Sequence, residues 1–311
     1  MSEKAEPSPF NDPKDALQLA RKAPSVLAKS GSIATTFPMS VLSTPESTET
    51  WLELATLFYA CLRTGDDRAA HLALERLTRR FGESNDRVMA MRGMYQEAVA
   101  QDDAELASIL QDYNRILADN PVNVPILKRR TALVRSMGRD QDAISSLVDF
   151  LEAFPTDVEA WCELADLYQK QGLGTQAVFC LEEALLSVPN AWNLHARLGE
   201  LEYMNAAVVG ESSEAGQTAL TQAVQRFSRS IELCDDYLRG YYGLKLAVGK
   251  LLQTVGQAKT APFTQEKLRK LDQLATAKLK AIVSARKGQA IGDGGEAQLI
   301  AAQALLDKTG S

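Results

Sequence analysis

The residues best suited to bond-making chemistry are few and scattered. There are two histidines, His71 and His195, and four cysteines, Cys61, Cys162, Cys180 and Cys234. A nucleophile needs a base within hydrogen-bond reach and a third group to orient that base. The two histidines fall in distant segments, and neither has a partner close in sequence. The cysteines occur singly, without the paired spacing of a metal site, so they read as small buried thiols and no disulfide is required. Ser284-Ala285-Arg286-Lys287 has the Ser-x-x-Lys form of an acylating serine, but its companion motifs are missing. Gly292-Asp293-Gly294-Gly295 would need a preceding strand and a following Lys-Ser/Thr to cradle a phosphate; it reads as a turn. Glu182-Glu183 and Asp235-Asp236 are neighbouring acids that point about 100° apart on a helix, as solvated faces do. The expectation is therefore no enzyme, no cofactor and no metal.

What positions these residues is a repeat. In Asp157–Asn190, Trp161, Leu164, Ala165 and Tyr168 stand at i, i+3, i+4 and i+7, one stripe of a helix. Ala177, Cys180, Leu181 and Ala184 form a second stripe, Gly172 and Gly174 break the chain between them, and Pro189 closes the unit. Large residues alternate with small ones where two helices must approach closely. Pro121, Pro155 and Pro189 are 34 residues apart, and Ala143 and Leu147 precede Ala177 and Leu181 by the same interval. This is the spacing of a tetratricopeptide repeat (TPR), a pair of antiparallel helices. The predicted fold is all-α, a curved TPR-type solenoid of helix pairs with capping helices at the C-terminus.

Taken in order, residues 1–48 read as a mostly extended or disordered arm broken by proline, with room for short helical turns at 15–22 and 25–29. Residues 49–252 read as a solenoid of about six helix pairs. Trp51 opens the first pair, Val88 and Met91 mark the second, the third turns at Gly138, and the fourth is the reference unit. In the fifth, Ala223 arrives twelve residues late, which predicts an insertion near 206–222, read as a loop. A further first helix is expected over 237–252. Residues 253–311 supply capping helices at 265–287 and 296–308, parted by the glycine run. No stretch approaches the ~18 apolar residues of a membrane span, and no signal peptide is evident, so a cytosolic chain is expected.

A repeat of this kind offers its first-helix faces to a partner. In the third pair Leu127, Thr131 and Val134 are read as the inward stripe, leaving Lys128 and Arg135 on a neighbouring face with Arg129 beside them as a basic patch. Arg87, Arg92 and Arg239 extend it, and Cys162, Asp166, Asn193, Tyr203 and Tyr242 are candidates for the same groove. The net charge of −6 argues against general nucleic-acid binding.

Beyond the generic repeat, the chain resembles subunit 2 of the ER membrane protein complex. The carrying segments are Tyr113-Asn114-Arg115-Ile116-Leu117, Asn120-Pro121, Lys128-Arg129, 157–189 with Glu159-Ala160-Trp161 and Val178-Phe179-Cys180-Leu181-Glu182-Glu183, and then 227–233 and Gly243-Leu244. The likeness covers about residues 50–250. It implies a non-catalytic scaffold, peripheral at the cytosolic face of the endoplasmic reticulum, in a hetero-oligomer with membrane-embedded and soluble subunits. Such a subunit holds cytosolic segments of membrane subunits while the complex inserts tail-anchored and multi-pass proteins. The alternative is a cytosolic TPR co-chaperone adaptor that clamps a C-terminal carboxylate. Ala132 and Asp166 stand where such a clamp would place polar and basic residues, and an acid there repels a carboxylate. A more distant alternative is a helical-repeat enzyme.

Overall fold

Stripes of small and large apolar residues at helical spacing can be buried only by a second helix, and the chain does this repeatedly. A computed structural model describes residues 13–30, 48–254, 263–287 and 293–309. Among these residues every regular element is a helix. The order is α1 (Pro13–Arg21), α2 (Ala23–Ser30), α3 (Thr48–Thr64), α4 (Asp67–Phe81), α5 (Asp86–Val99), α6 (Asp103–Asp119), α7 (Val124–Ser136), α8 (Asp140–Ala153), α9 (Val158–Lys170), α10 (Gly174–Ser187), α11 (Trp192–Val209), α12 (Glu214–Leu233), α13 (Leu238–Thr254), α14 (Gln265–Arg286) and α15 (Asp293–Thr309). Contacts divide the chain into two compact units, 1–143 and 144–311, and the division falls inside α8.

Local chemistry sets the helix ends. Pro121, Pro155 and Pro189 each fall two residues beyond the last residue of α6, α8 and α10. Gly138 and Gly172 turn the chain with φ of 73° and 76°, a region that costs a residue with a Cβ. Asn123 and Asp157, also 34 apart, cap α7 and α9 by accepting from the Ile126 and Ala160 amides. Ala191 occupies the equivalent place before α11 and has no side chain to offer. His195 stabilises that helix start instead, with Nε2 3.0 Å from the Pro189 carbonyl oxygen.

In the first unit, α1 and α2 lie on α3, and α2 also reaches α4. Ala23 and Val26 join Leu54, Phe58, Cys61, Leu74 and Leu77 in one core, and Arg76 on α4 donates to the Leu27 carbonyl at 2.5 Å. Residues 13–30, expected within a mostly extended arm, are therefore helical and packed, because Ala16, Ala23 and Val26 make an apolar stripe that α3 buries. The rest of that arm lies outside the described residues.

In the second unit, α9 pairs with α10, α11 with α12, and α13 with α14, while α15 packs on α14 and α13. The insertion expected as a loop is no loop. It lengthens both helices of the fifth pair, to 18 and 20 residues against 13 and 14 in the fourth, leaving only 210–213 as the turn. Ala206, Gly216, Ala219 and Leu220 keep the helical stripe running through the extra length, and all four are buried. Lys245 on α13, 5% exposed, reaches Asp272 at 3.0 Å and Thr276 at 2.7 Å on α14. Helix α14 is thus the returning partner of α13. The glycine run expected as a separator instead supplies the first turn of α15 from Asp293, with Gly292 outside the described residues.

Candidate partner-binding faces

In the first unit the expected basic patch is partly neutralised. Ile126 and Leu133 are fully buried on α7, and Arg129 lies three residues after the first and four before the second, so it points the same way. Its guanidinium grips Glu97 of α5 with two bonds, Nε to Oε1 at 2.8 Å and Nη2 to Oε2. The Glu97 and Arg129 side chains are 10% and 23% exposed. Tyr113 of α6 donates to the same Oε1 at 2.5 Å. Burial, and then the bond to Glu97, pushes the Tyr113 hydroxyl well above its usual range. For Arg129, burial works against the charge, but Glu97 outweighs it. Gly93 makes this possible, since a Cβ there would stand 2.1 Å from the Tyr113 hydroxyl.

Arg129 is therefore a structural ion-pair member rather than part of an open patch. Of the inward stripe, Thr131 and Val134 are buried, Leu127 is half-buried, and Ile126 and Leu133 carry the burial that Leu127 was expected to have. Lys128 and Arg92 are half-buried, and Arg87 and Arg135 are exposed.

In the second unit the first helices of three successive pairs are joined by alternating charge. Asp166 on α9 accepts from Arg197 on α11 at 3.0 Å, and Arg197 also holds Gln169 and, at 3.3 Å, Glu200. Glu200 in turn receives Arg239 of α13 through bonds of 2.8, 2.9 and 3.1 Å. Of the expected residues, Asp166 and Arg239 belong to this ladder. Arg197, Glu200 and Gln169 do too, and sequence reading missed them. The signal was oppositely charged residues 31 and 39 apart on successive first helices, near one repeat length.

Tyr203 and Tyr242 are half-buried against the core of this unit, and Asn193 is exposed as the second residue of α11. Cys162 is half-buried, and its thiol is raised first by burial and then by Asp166 and Glu159. Burial pushes Cys61 up to about 11 and Cys180 up to about 12, so neither is a ready thiolate near neutral pH. The repeat-core residues Leu164, Ala165, Ala177, Leu181 and Ala184 are buried. Trp51, Trp161 and Tyr168 are half-buried and Pro189 is exposed. Trp161 Nε1 donates to the Pro155 carbonyl at 2.8 Å, and its ring meets Phe179 edge-on at 6.1 Å. Among the described residues, no three of His, Cys, Asp and Glu converge where they could hold a metal ion.

Residues 86–212 match the family model described as the EMC2 TPR-like repeat domain. The TPR repeat protein oca3 of Schizosaccharomyces pombe is 34% identical over 205 residues, 66% of this chain and 68% of that protein. ER membrane protein complex subunit 2-A of Xenopus laevis is 33% identical over 198 residues, and the match spans 63% of this chain and 62% of the relative's length. Among solved structures, the C-terminal part of a TPR repeat-containing protein from Cytophaga hutchinsonii aligns with 94% of this chain and 99% of its own, at 12% identity and a TM-score of 0.51, a likeness of fold alone. Helix pairs on a 34-residue beat, carrying these matched segments, are accounted for together because the chain belongs to the ER membrane protein complex subunit 2 family.

Proposed function

We propose that this chain is a non-catalytic scaffold subunit of the ER membrane protein complex. In this reading it holds cytosolic segments of membrane-embedded subunits on its first-helix faces while the complex inserts transmembrane segments. Family membership carries the reading. The faces support it: Glu97 holds Arg129, and Asp166, Arg197, Glu200 and Arg239 hold one another, and a surface with such paired charges suits holding. Among the described residues no helix is long and apolar enough to cross a membrane.

The test is purification of the tagged full chain from detergent-solubilised membranes. A fixed set of membrane proteins in constant ratio is the expected result. Recovery of cytosolic chaperones instead would transfer the chain to the co-chaperone adaptors.

A further inference from the structure

Helix α14 carries a charge distribution unlike the rest of the chain. Residues 265–287 hold seven bases and two acids, a net +5, so the remainder of the −6 chain sums to −11. One side of the helix, with Leu268, Ala275, Leu279, Ile282 and Val283, is buried. At the edges of that side, Lys278 and Arg286 are taken up by Asp235 and Asp236, and Lys270 pairs with Glu266 one turn away.

Of the remaining bases, Lys267 stands about 160° round the helix from Arg269, whereas Arg269, Lys280 and Lys287 share one side. All three are exposed, and none has an ion pair among the described residues. Spacings of 11 and 18 residues bring them back to within about 20° of one another on the helix, in a row about 27 Å long. Beside that row the exposed surface is Gln273, Ala277 and Ser284. Asp272, three residues after Arg269, is taken up by Lys245 of α13, and beyond it α14 carries no acid and no aromatic.

We propose that this face of α14 lies on an anionic lipid surface, with Arg269, Lys280 and Lys287 reaching headgroup phosphates while the helix stays outside the hydrocarbon. The inference deepens the scaffold reading and rests on it for the presence of a membrane. The layout favours a plane of anions over other acidic partners. Helix α14 has no aromatic on which a nucleic-acid base could stack. The bases do not converge on a point, as they would around a phosphorylated residue. A row of long cations over small side chains needs only a flat surface with negative charge available everywhere along it. The −11 elsewhere is repelled by the same surface, so the contact orients the chain with α14 toward the lipid.

The purified full chain is floated with phosphatidylcholine vesicles and with vesicles in which about a third of the lipid is phosphatidylserine. Flotation is expected only with the anionic vesicles and is lost at about 0.5 M salt. The variant R269Q/K280Q/K287Q should partition about a hundredfold more weakly at unchanged melting temperature, while K280R/K287R should float like wild type.

Absence of wild-type flotation, or equal flotation of the glutamine variant, overturns the proposal. Retention on polyglutamate or RNA without flotation also overturns it and assigns the face to an acidic macromolecule. The scaffold reading is scored separately. A glutamine variant that no longer floats yet co-purifies with the membrane proteins supports both readings. Flotation without any co-purification leaves the lipid contact standing and removes the subunit assignment.

Discussion

Phe227 shows how closely single residues are fitted. Its ring is 1% exposed and lies between Gly199 and Gly243, where an added Cβ would come within 3.1 and 2.2 Å of it. Gly243→Ala should therefore cost about 1–3 kcal/mol by overpacking, although alanine favours the helix. Gly249 lies in the same helix with nothing within 4 Å of its Cβ direction, so Gly249→Ala should stabilise by about 1 kcal/mol. Urea denaturation of the two variants reads the sign directly, and like signs would contradict the packing. On the same scale Phe227→Ala should cost about 3–5 kcal/mol, and half-buried Trp161→Ala about half as much.

Glu202 of α11 is 9% exposed, and burial, then Glu182, raises its carboxyl above the ordinary value of 4.5 against the pull of Arg226. The folded chain then holds this proton more tightly than the unfolded chain. Between the ordinary and the raised value, stability falls as pH rises. Glu202→Gln should remove that slope and stabilise the chain at neutral pH. A denaturation midpoint with the wild type's pH dependence in this range would disprove the assignment.

The elements were legible where one period governed them, and obscure where two helices had to be combined. The 34-residue spacing of Pro121, Pro155 and Pro189 located the helix pairs because each proline follows a helix end. The lengthened α11–α12 pair was misread because Gly210, Ser212 and Ser213 are genuine turn residues, and they drew attention from the helical stripes on both sides. The Glu97–Arg129 pair was invisible for a different reason. Partners 32 residues apart on separate helices leave no local pattern, so Arg129 read as surface charge. The packing of α1 and α2 was hidden by prolines that sit at the first helical residue of α1 and the second of α2, where a missing amide costs nothing. Helix α2 is held partly by the Arg76 bond to the Leu27 carbonyl. Arg76→Ala should lower stability by about 1.5–3 kcal/mol. It should also speed amide exchange in α2 ahead of α3, and equal exchange rates in the two helices would show that α2 is held without it.

For the whole molecule, the proposed scaffold role requires surfaces that remain ordered before a partner arrives. In the second unit, Asp166, Arg197, Glu200 and Arg239 neutralise one another across α9, α11 and α13, with side chains 24–49% exposed. Pairs that open to water contribute little to folding, so Arg197→Ala should lower stability by only about 1 kcal/mol. Once a partner segment covers them, the same charges lose their solvent, and leaving Asp166 without Arg197 becomes far more costly. Arg197→Ala should then reduce co-purification of membrane proteins much more than it lowers the melting temperature. Arg129→Glu should behave in the opposite way. It puts two acids together beside buried Tyr113, so the chain should fail to accumulate in folded form whether or not that face meets a partner. Normal co-purification by a folded Arg197→Ala chain would remove the ladder face as the place where a partner docks, because a covered face could not lose its central cation without weakening the association.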